Sequence, residues 1–346
     1  MGVKLGDIIP PQAVEKVELE FFKNKPIAID GYNILYQFIS TIRGPDGRPL
    51  MDSRGRITSH LSGLFFRTVN FLEVGMKPVY VFDGQPPQLK RETIQKRIAL
   101  RKTAEEKYVA AIAAGDLESA RKYAAQSATL EKYMVESSIE LLDALGVPYV
   151  IAPSEGEAQA AHMARAGHVW GSASQDYDSI LFGSPRLVRN LSIVGKRKLP
   201  GKKAYVEVEI EVIYADRLFT ELGIGREELI EMAILIGTDY FEGIRGIGPK
   251  KAYNYIKQYG SVEKVLVALN QELAFNLDAV RELFRNPEVT DNYKIEWREI
   301  DRERVKKILC DEHDFSEERV DKALDSLLEK AKETRAETRL DEWFSG

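Results

Sequence analysis

The sequence predicts an α/β protein with a mostly parallel central sheet flanked by helices, and three observations carry that reading. Several short apolar runs, four to seven residues long and rich in β-branched or aromatic residues, each end at an acid. Each run is followed by a turn or a helical pattern, as strands alternating with helices would be. Between the second and third runs lies a long helical stretch, roughly 88–145, too long for an ordinary crossover and strongly basic at its start.

Taken in order, "KPIAID" ends at Asp30, "KPVYVFD" at Asp83, "VPYVIAPSE" reaches Glu155 and "HVWGSASQD" reaches Asp176. In a parallel sheet the carboxyl ends of the strands line one edge, where ligands bind, so these acids converge. Residues 232–260 read as a helix, then Asp239, then a Gly-rich hairpin that opens another helix. Residues 300–333 read as charged amphipathic helices, with Ser316 as an N-cap before "EERVDKALDSLLEKAK". The last residues, "ETRLDEWFSG", are polar around one apolar cluster and read as a tail. No internal repeat or low-complexity tract interrupts this order.

The 346 residues are 44% hydrophobic and 30% charged, ample for a sizeable core, and length alone suggests about two domains. The single cysteine, Cys310, excludes a disulfide within the chain and any thiolate metal cluster. His60, His162, His168 and His313 are scattered, with no spacing suited to zinc. A hard, oxygen-loving cation is left as the metal class the residues allow. No apolar run is long enough to span a membrane, the N-terminus lacks signal-peptide regions, and Gly6 stands where myristoylation wants Ser or Thr. The expectation is a soluble, intracellular protein. The net charge of −5 hides two basic stretches: 186–203 holds seven basic and no acidic side chains, and 84–107 holds seven basic and three acidic.

The carboxylates have structural readings beside the functional one. "SEGE" fits a capping box, with Ser154 as N-cap, Glu155 at N1 and Glu157 at N3, although capping and metal binding are compatible. Asp176 and Asp178, two apart on an extended segment, present both side chains on one face, or else belong to a solvated turn. Asp30, Asp83 and Asp239 each suit a helix cap. Taken together they are seven carboxylates from five chain segments at one edge. Such a set repels itself without cations, and it suits two Mg²⁺ ions held partly through water. Two such ions roughly 3.5–4 Å apart polarise a phosphate, lower the pKa of water and stabilise a leaving oxygen.

Lys90, Arg97 and Arg101 fall at i, i+7 and i+11, close to one face of the helix after Asp83. They read either as a solvated face or as cations for a scissile phosphate and its developing charge. Tyr36, about two turns after Asp30, reads as core on its own and as a base-stacking platform in context. In "IRGIGPKKA", Gly246 and Gly248 allow a tight turn and Pro249 suits the first helical position. Backbone donors there, with Lys250 and Lys251, make a site for a phosphate backbone without sequence reading.

In this order and spacing, "AIDGYNILYQF", "KPVYVFDGQPPQLK", "APSEGEAQAA", "SQDYDSILFGSP" and "GTDYFEGIRGIGPKKA" closely resemble the flap endonuclease 1 family of structure-specific 5′-nucleases, in its archaeal form. The resemblance runs over nearly the whole chain. It implies a Mg²⁺-dependent 5′-flap endonuclease with 5′-3′ exonuclease activity, acting in Okazaki-fragment maturation and long-patch base-excision repair. It implies a single nuclease domain over 1–333, with an N-terminal part (1–100), a helical arch over about 84–135, an internal part (about 136–265) and a C-terminal helical part (about 266–333), followed by a flexible tail (334–346) that carries a clamp-binding motif. On the family pattern Asp30, Asp83, Glu155, Glu157, Asp176, Asp178 and Asp239 hold two Mg²⁺ ions, for which Mn²⁺ substitutes. Asp176 and Asp178 are then needed for chemistry, Lys90 and Arg97 contact the scissile phosphate, and Tyr36 stacks near the cleavage site. Gly2, exposed once Met1 is removed, lies near the site. Residues 244–251 match a helix–two-turn–helix DNA-binding element, in the family with a bound K⁺, although Gly243 stands where some members carry a serine. Leu340, Trp343 and Phe344 match the motif that docks on the sliding clamp PCNA, with Glu337 in place of its leading glutamine. A monomer is expected, cytoplasmic in an archaeon or nuclear in a eukaryote. The alternatives are a related 5′-nuclease for bubbles or junctions, a non-catalytic DNA-binding clamp partner, and a metal-dependent phosphatase of small molecules.

Overall fold

The apolar runs that end in acids form the centre of a seven-stranded sheet. The computed structural model describes residues 2–44, 48–192, 195–198, 205–271 and 275–345; the side chains of 117, 195–198, 205–207, 331 and 333–345 lie outside that description. The first half of the chain gives β1 (Val14–Val17), β2 (Pro26–Asp30), α1 (Gly31–Thr41), α2 (Ser59–Glu73), β3 (Lys77–Phe82), α3 (Arg91–Ala113), α4 (Leu117–Gln126), α5 (Lys132–Ala144), β4 (Tyr149–Ile151) and α6 (Gly156–Arg165). The second half begins with β5 (Gly171–Ala173), α7 (Asp178–Leu181), β6 (Arg186–Arg189), β7 (Gly195–Lys198), β8 (Tyr205–Val208) and β9 (Ile210–Tyr214). It ends in helices: α8 (Ala215–Leu222), α9 (Arg226–Ile236), α10 (Pro249–Tyr259), α11 (Val262–Ala268), α12 (Leu277–Arg285), α13 (Arg302–Lys306) and α14 (Glu317–Ser345).

The strand order is β1-β9-β6-β5-β2-β3-β4. β2 runs parallel to β3 and β5, β3 to β4, and β5 to β6, so the expected parallel sheet is present. One margin is antiparallel, with β9 between β6 and β1. That margin was not read from the sequence, because "VEKV" and "IEVIY" are short and only partly buried.

Side chains on a strand alternate between its two faces, and here both faces are covered. Ile27 and Ile29 of β2, with Tyr80 and Phe82 of β3, join the core layer under α1, α2, α5 and α14. Ala28, Val79 and Val81 point the other way, onto Ala160, Met163 and Ala164 of α6. A third apolar body gathers Leu5 with α7 to α12. Within it the buried Glu231 of α9 accepts the Val262 N–H at 2.8 Å and the Arg281 guanidinium at 2.6 and 2.9 Å, tying three helices together.

The long insertion is a helical hairpin, α3 and α4, turned at Gly115 with φ +71°. α3 buries only Ala104 and Ala111 along its length. Near the C-terminus of α4 the hairpin is fastened to the end of α1 by Arg43, just past that helix, which donates to the Ala124 carbonyl at 2.7 Å and to the Ile39 carbonyl at 3.0 Å. The last helix starts after Ser316, whose Oγ accepts the Arg319 N–H at 3.4 Å. Its backbone runs on to Ser345, through the stretch that the sequence marks as a tail.

α1 carries part of the candidate site, and its position depends on Gly63 of α2, where a Cβ would lie 2.2 Å from Cγ of Phe38. Helix propensity favours Gly63→Ala by about 1 kcal/mol. The overpacked α1–α2 contact costs about 1–3 kcal/mol in the other direction. Gly63→Ala is therefore expected to lower the melting temperature, and an unchanged or raised value would refute the packing argument.

Candidate active site

Because β2, β3, β4 and β5 run in one direction, their carboxyl ends open on a single edge. Asp30 ends β2, Asp83 follows β3, Glu155 and Glu157 stand at the start of α6, and Asp176 and Asp178 follow β5. Asp239 arrives from the loop after α9. All seven line one cleft of about 630 Å³, together with Tyr36, Lys90, Arg97 and Arg101.

Most of these acids are oriented by hydrogen bonds of their own. Asp30 caps α1, accepting the Asn33 N–H at 2.9 Å. Asp83 accepts the Gly156 N–H at 2.7 Å, and Asp178 accepts the Val3 N–H at 2.7 Å. Glu157 accepts both the N–H and the hydroxyl of Ser179, at 3.1 and 2.9 Å. In Asp83, Asp178 and Glu157 these bonds fall on a single carboxylate oxygen. The Ser174 hydroxyl sits between two of the acids, 3.5 Å from Asp30 Oδ2 and accepting the Asp176 N–H at 3.2 Å.

Three expectations about local structure are corrected. α6 begins at Gly156, with Glu155 in the N-cap position and no side-chain cap bond, so Ser154 and Glu157 form no capping box. Gly156 packs against the end of β3, where a Cβ would lie 2.9 Å from Asp83 Oδ1 and 3.0 Å from the Val81 carbonyl. That close approach sets where the helix begins. Asp239 caps no helix, since Gly248 holds the N-cap position of α10. Asp176 and Asp178 share no extended segment: Asp176 lies in a bend and Asp178 opens α7. Both still reach the cleft.

Two cations from the base of α3 enter this acidic edge. The Lys90 ammonium pairs with Glu155 and lies 3.3 Å from Asp239. Arg97 pairs with Asp239 at 2.5 Å. One turn further along, the Arg101 guanidinium covers the Tyr36 ring at 4.8 Å from its centroid. Burial works against the charge on Lys90, but Glu155 and Asp239 overcome it and hold its pKa above the ordinary lysine value. Burial, then the Asp83 charge, push Asp30 up to about 8. Burial, opposed by the Val3 N–H and reinforced by Asp176, raises Asp178 to about 7. Glu157 is raised well above the usual range by burial, Asp178 and Asp176, and burial also raises Asp83 and Glu155 despite Lys90. Without a cation beyond Lys90 and Arg97, the cleft carries more negative charge than it comfortably ionises.

Gly2 lies where the resemblance implied, since a Cβ on it would fall 2.7 Å from Asp178 Oδ1 and 2.8 Å from Asp176 Cβ. Gly246, Gly248, Lys250 and Lys251 stand apart from the cleft, at the end of the loop that carries Asp239. Gly246 has φ +84°, Pro249 opens α10, and Lys251 donates back to the Gly246 carbonyl at 3.0 Å. Gly243 has φ +80°, and a Cβ on it would meet Gly237 N at 2.5 Å, so no serine fits there on this backbone. In the basic stretch 186–203, Arg186 stacks on Trp170 and Arg189 on Tyr177, at 4.9 and 4.3 Å, so both serve the fold. The side chains of its remaining cations, and those of Glu337, Leu340, Trp343 and Phe344, lie outside the described residues.

The sequence reading missed Ser174, Ser179 and the Val3 N–H. Ser174 stands inside the motif stretch itself, but its Asp30 contact spans 144 residues of chain, and a main-chain donor has no residue signature at all.

Residues 1–104 match the XPG N-terminal domain and residues 146–239 the XPG I-region. The chain is 55% identical to Flap endonuclease 1 of Ignicoccus hospitalis over 99% of both chains. Among solved structures it resembles flap endonuclease-1 from Methanococcus jannaschii, with a TM-score of 0.74 and 41% identity over 96% of this chain and 100% of that one. It also resembles the catalytic core of Rad2 in complex with DNA substrate, with a TM-score of 0.72 and 25% identity over 94% and 100% of the two chains. With full-length identity to such relatives and both nuclease regions in place, the chain belongs to the flap endonuclease 1 family.

Proposed function

We propose that this protein is a structure-specific 5′-nuclease that cuts the 5′ flap from branched DNA, with 5′-3′ exonuclease activity, in Okazaki-fragment maturation and long-patch base-excision repair. The observation that carries the reading is the gathering of seven carboxylates, Lys90 and Arg97 on one cleft beneath the α3–α4 hairpin. The family supports the reaction class, and a relative solved with a DNA substrate supports the polymer.

The donor set is oxygen alone, which suits Mg²⁺ or Mn²⁺ rather than a thiolate-loving metal. Among the described residues no three His, Cys, Asp or Glu side chains close into a ready-made cage. Lys90 and Arg97 hold Glu155 and Asp239 in that space instead. A magnesium ion keeps several waters and takes only one or two direct carboxylates, so these residues fit two such ions, held partly through water. When bound, the ions polarise the phosphate, lower the pKa of the attacking water and stabilise the leaving oxygen.

The chain's own groups do the rest. Asp30, Asp83, Glu155, Glu157, Asp176, Asp178 and Asp239 hold the cations, and their hydrogen bonds fix carboxylate direction beforehand. Lys90 and Arg97 exchange their carboxylate partners for the scissile phosphate and its developing charge. Tyr36 offers a ring face to an unpaired base. Gly246, Gly248, Lys250 and Lys251 grip the duplex backbone through N–H groups and ammonium charge, with K⁺ as a candidate ion at that turn. Glu337, Leu340, Trp343 and Phe344 dock the monomer on PCNA. Hydrolysis leaves a 5′-phosphate and a 3′-hydroxyl.

On labelled double-flap DNA, Mg²⁺ is expected to support a cut at or one nucleotide inside the 5′-flap junction, and EDTA to abolish it. Asp178→Ala should hold flap affinity within about an order of magnitude while nearly abolishing turnover, and Lys90→Ala and Arg97→Ala should cost mostly rate. Robust cleavage by Asp178→Ala would remove the site assignment.

Asp30 at about 8 and Asp178 at about 7 lie above an unfolded carboxylate near ~4. Their contribution to cation-free stability is complete below that unfolded value and is lost as pH rises through 7 to 8. The rise in melting temperature on adding Mg²⁺ should thus be larger at about pH 8.5 than at about pH 5.5. Equal increments would contradict the electrostatic account.

Replacing Leu340, Trp343 and Phe344 together by alanine should abolish PCNA binding in a pull-down while leaving clamp-free flap cleavage unchanged. Retained binding would place the clamp contact elsewhere.

A further inference from the structure

Besides the acids, the cleft is lined by Tyr36 and Thr41 of α1, Leu100 and Arg101 of α3 and Gln126 of α4. Leu100 is out of place there. It is 69% exposed, and of the exposed large apolar residues described it alone lines the cleft. Arg97, one turn back on the same helix face, is a cation, and so is Arg101, the next residue, which also lines the cleft. Ile98 and Val109 of α3 are also exposed, at 57% and 61%, but neither borders the cleft.

A phosphate cannot be the partner of Leu100, because an isobutyl group offers an anion neither charge nor a hydrogen-bond donor. A nucleobase face can be, since it is flat, apolar and costly to leave in water once unstacked. Tyr36 lines the same cleft, and its ring is already covered by a flat cation, Arg101, at 4.8 Å. Such a platform accepts planar groups. Thr41 and Gln126 add neutral polar atoms, suited to a base edge and not to a charge.

We propose that Leu100 is a specificity-determining residue that packs on the base of one unpaired nucleotide in the cleft that Tyr36 also lines. This rests on the nuclease reading above and deepens it. The enzyme then recognises a flap by an unstacked base near the scissile phosphate as well as by its backbone, and a backbone lacking that base is a poorer substrate.

The experiment uses double-flap DNA in which a single abasic residue is moved through the nucleotides flanking the cleavage site, with kcat and KM measured for each substrate. For the unaltered protein one abasic position should slow kcat/KM by about tenfold, the scale of one base-stacking contact. Leu100→Ala should reduce that ratio severalfold, and Leu100→Met, which keeps the apolar contact, should preserve it. Because Leu100 is exposed, neither variant removes core packing. If Leu100→Ala keeps the full abasic penalty, or if no position shows one in the unaltered protein, the proposal fails. If the unaltered protein cuts no flap at all, the underlying nuclease reading fails instead, and the two failures are told apart by that control.

Discussion

Parallel strands deliver their carboxyl ends to one edge, and here that edge is loaded with acids that repel one another. Much of the surrounding structure answers this constraint. Main-chain N–H groups of Val3 and Gly156 and the hydroxyl of Ser179 each reach an acid from a different segment, and the Asn33 N–H reaches Asp30 within its own helix cap. Gly2 and Gly156 are glycines because any side chain would strike the carboxylates or their strands. These contacts direct the carboxylates without cancelling their charge, and burial keeps several of them reluctant to ionise.

The cations that partly offset this charge come from α3, which links the electrostatics of the edge to the placement of the hairpin above it. α3 buries almost nothing, so hydrophobic packing does little to set its position. Its base is held by Lys90 and Arg97 on Glu155 and Asp239, while α4 is held on α1 by Arg43. A helix held chiefly by charge is placed by groups that a phosphate or a divalent cation competes for. The sheet below, covered on both faces, has no such competitor.

The Gly-rich hairpin before α10 and the acidic edge are joined by one short segment. Between α9 and α10 the chain passes Gly237 (φ +111°), Asp239, Gly243 (φ +80°) and Gly246 (φ +84°). The Gly243 backbone lies against Ile236 and Gly237, closing the loop on itself. Asp239 and the turn that offers Lys250 and Lys251 are thus fixed relative to one another by backbone contact. α9, which anchors the segment, is pinned by the buried Glu231–Arg281 pair.

Much of this was legible from residue order alone. Apolar runs ending in acids specified the parallel strands and the shared edge, because strand polarity leaves only one place for those acids. The glycines and proline of "IRGIGPKKA" specified a turn and a helix start, because few residues tolerate those backbone angles. Other features depended on contacts between distant segments. Whether "SEGE" formed a capping box turned on how closely Gly156 could approach Asp83, which nothing in those four residues encodes. The serine at 174, the N–H of Val3 and the antiparallel β9–β1 margin likewise acquire meaning only from partners far along the chain. Local chemistry determined which segments bear charge and where the chain turns, since those are properties of neighbouring residues. The tertiary structure decided which oxygen accepts which donor and which cation meets which acid, and it decided that Leu100 borders the cleft. Those outcomes depend on distances across the fold, which spacing along the chain does not contain.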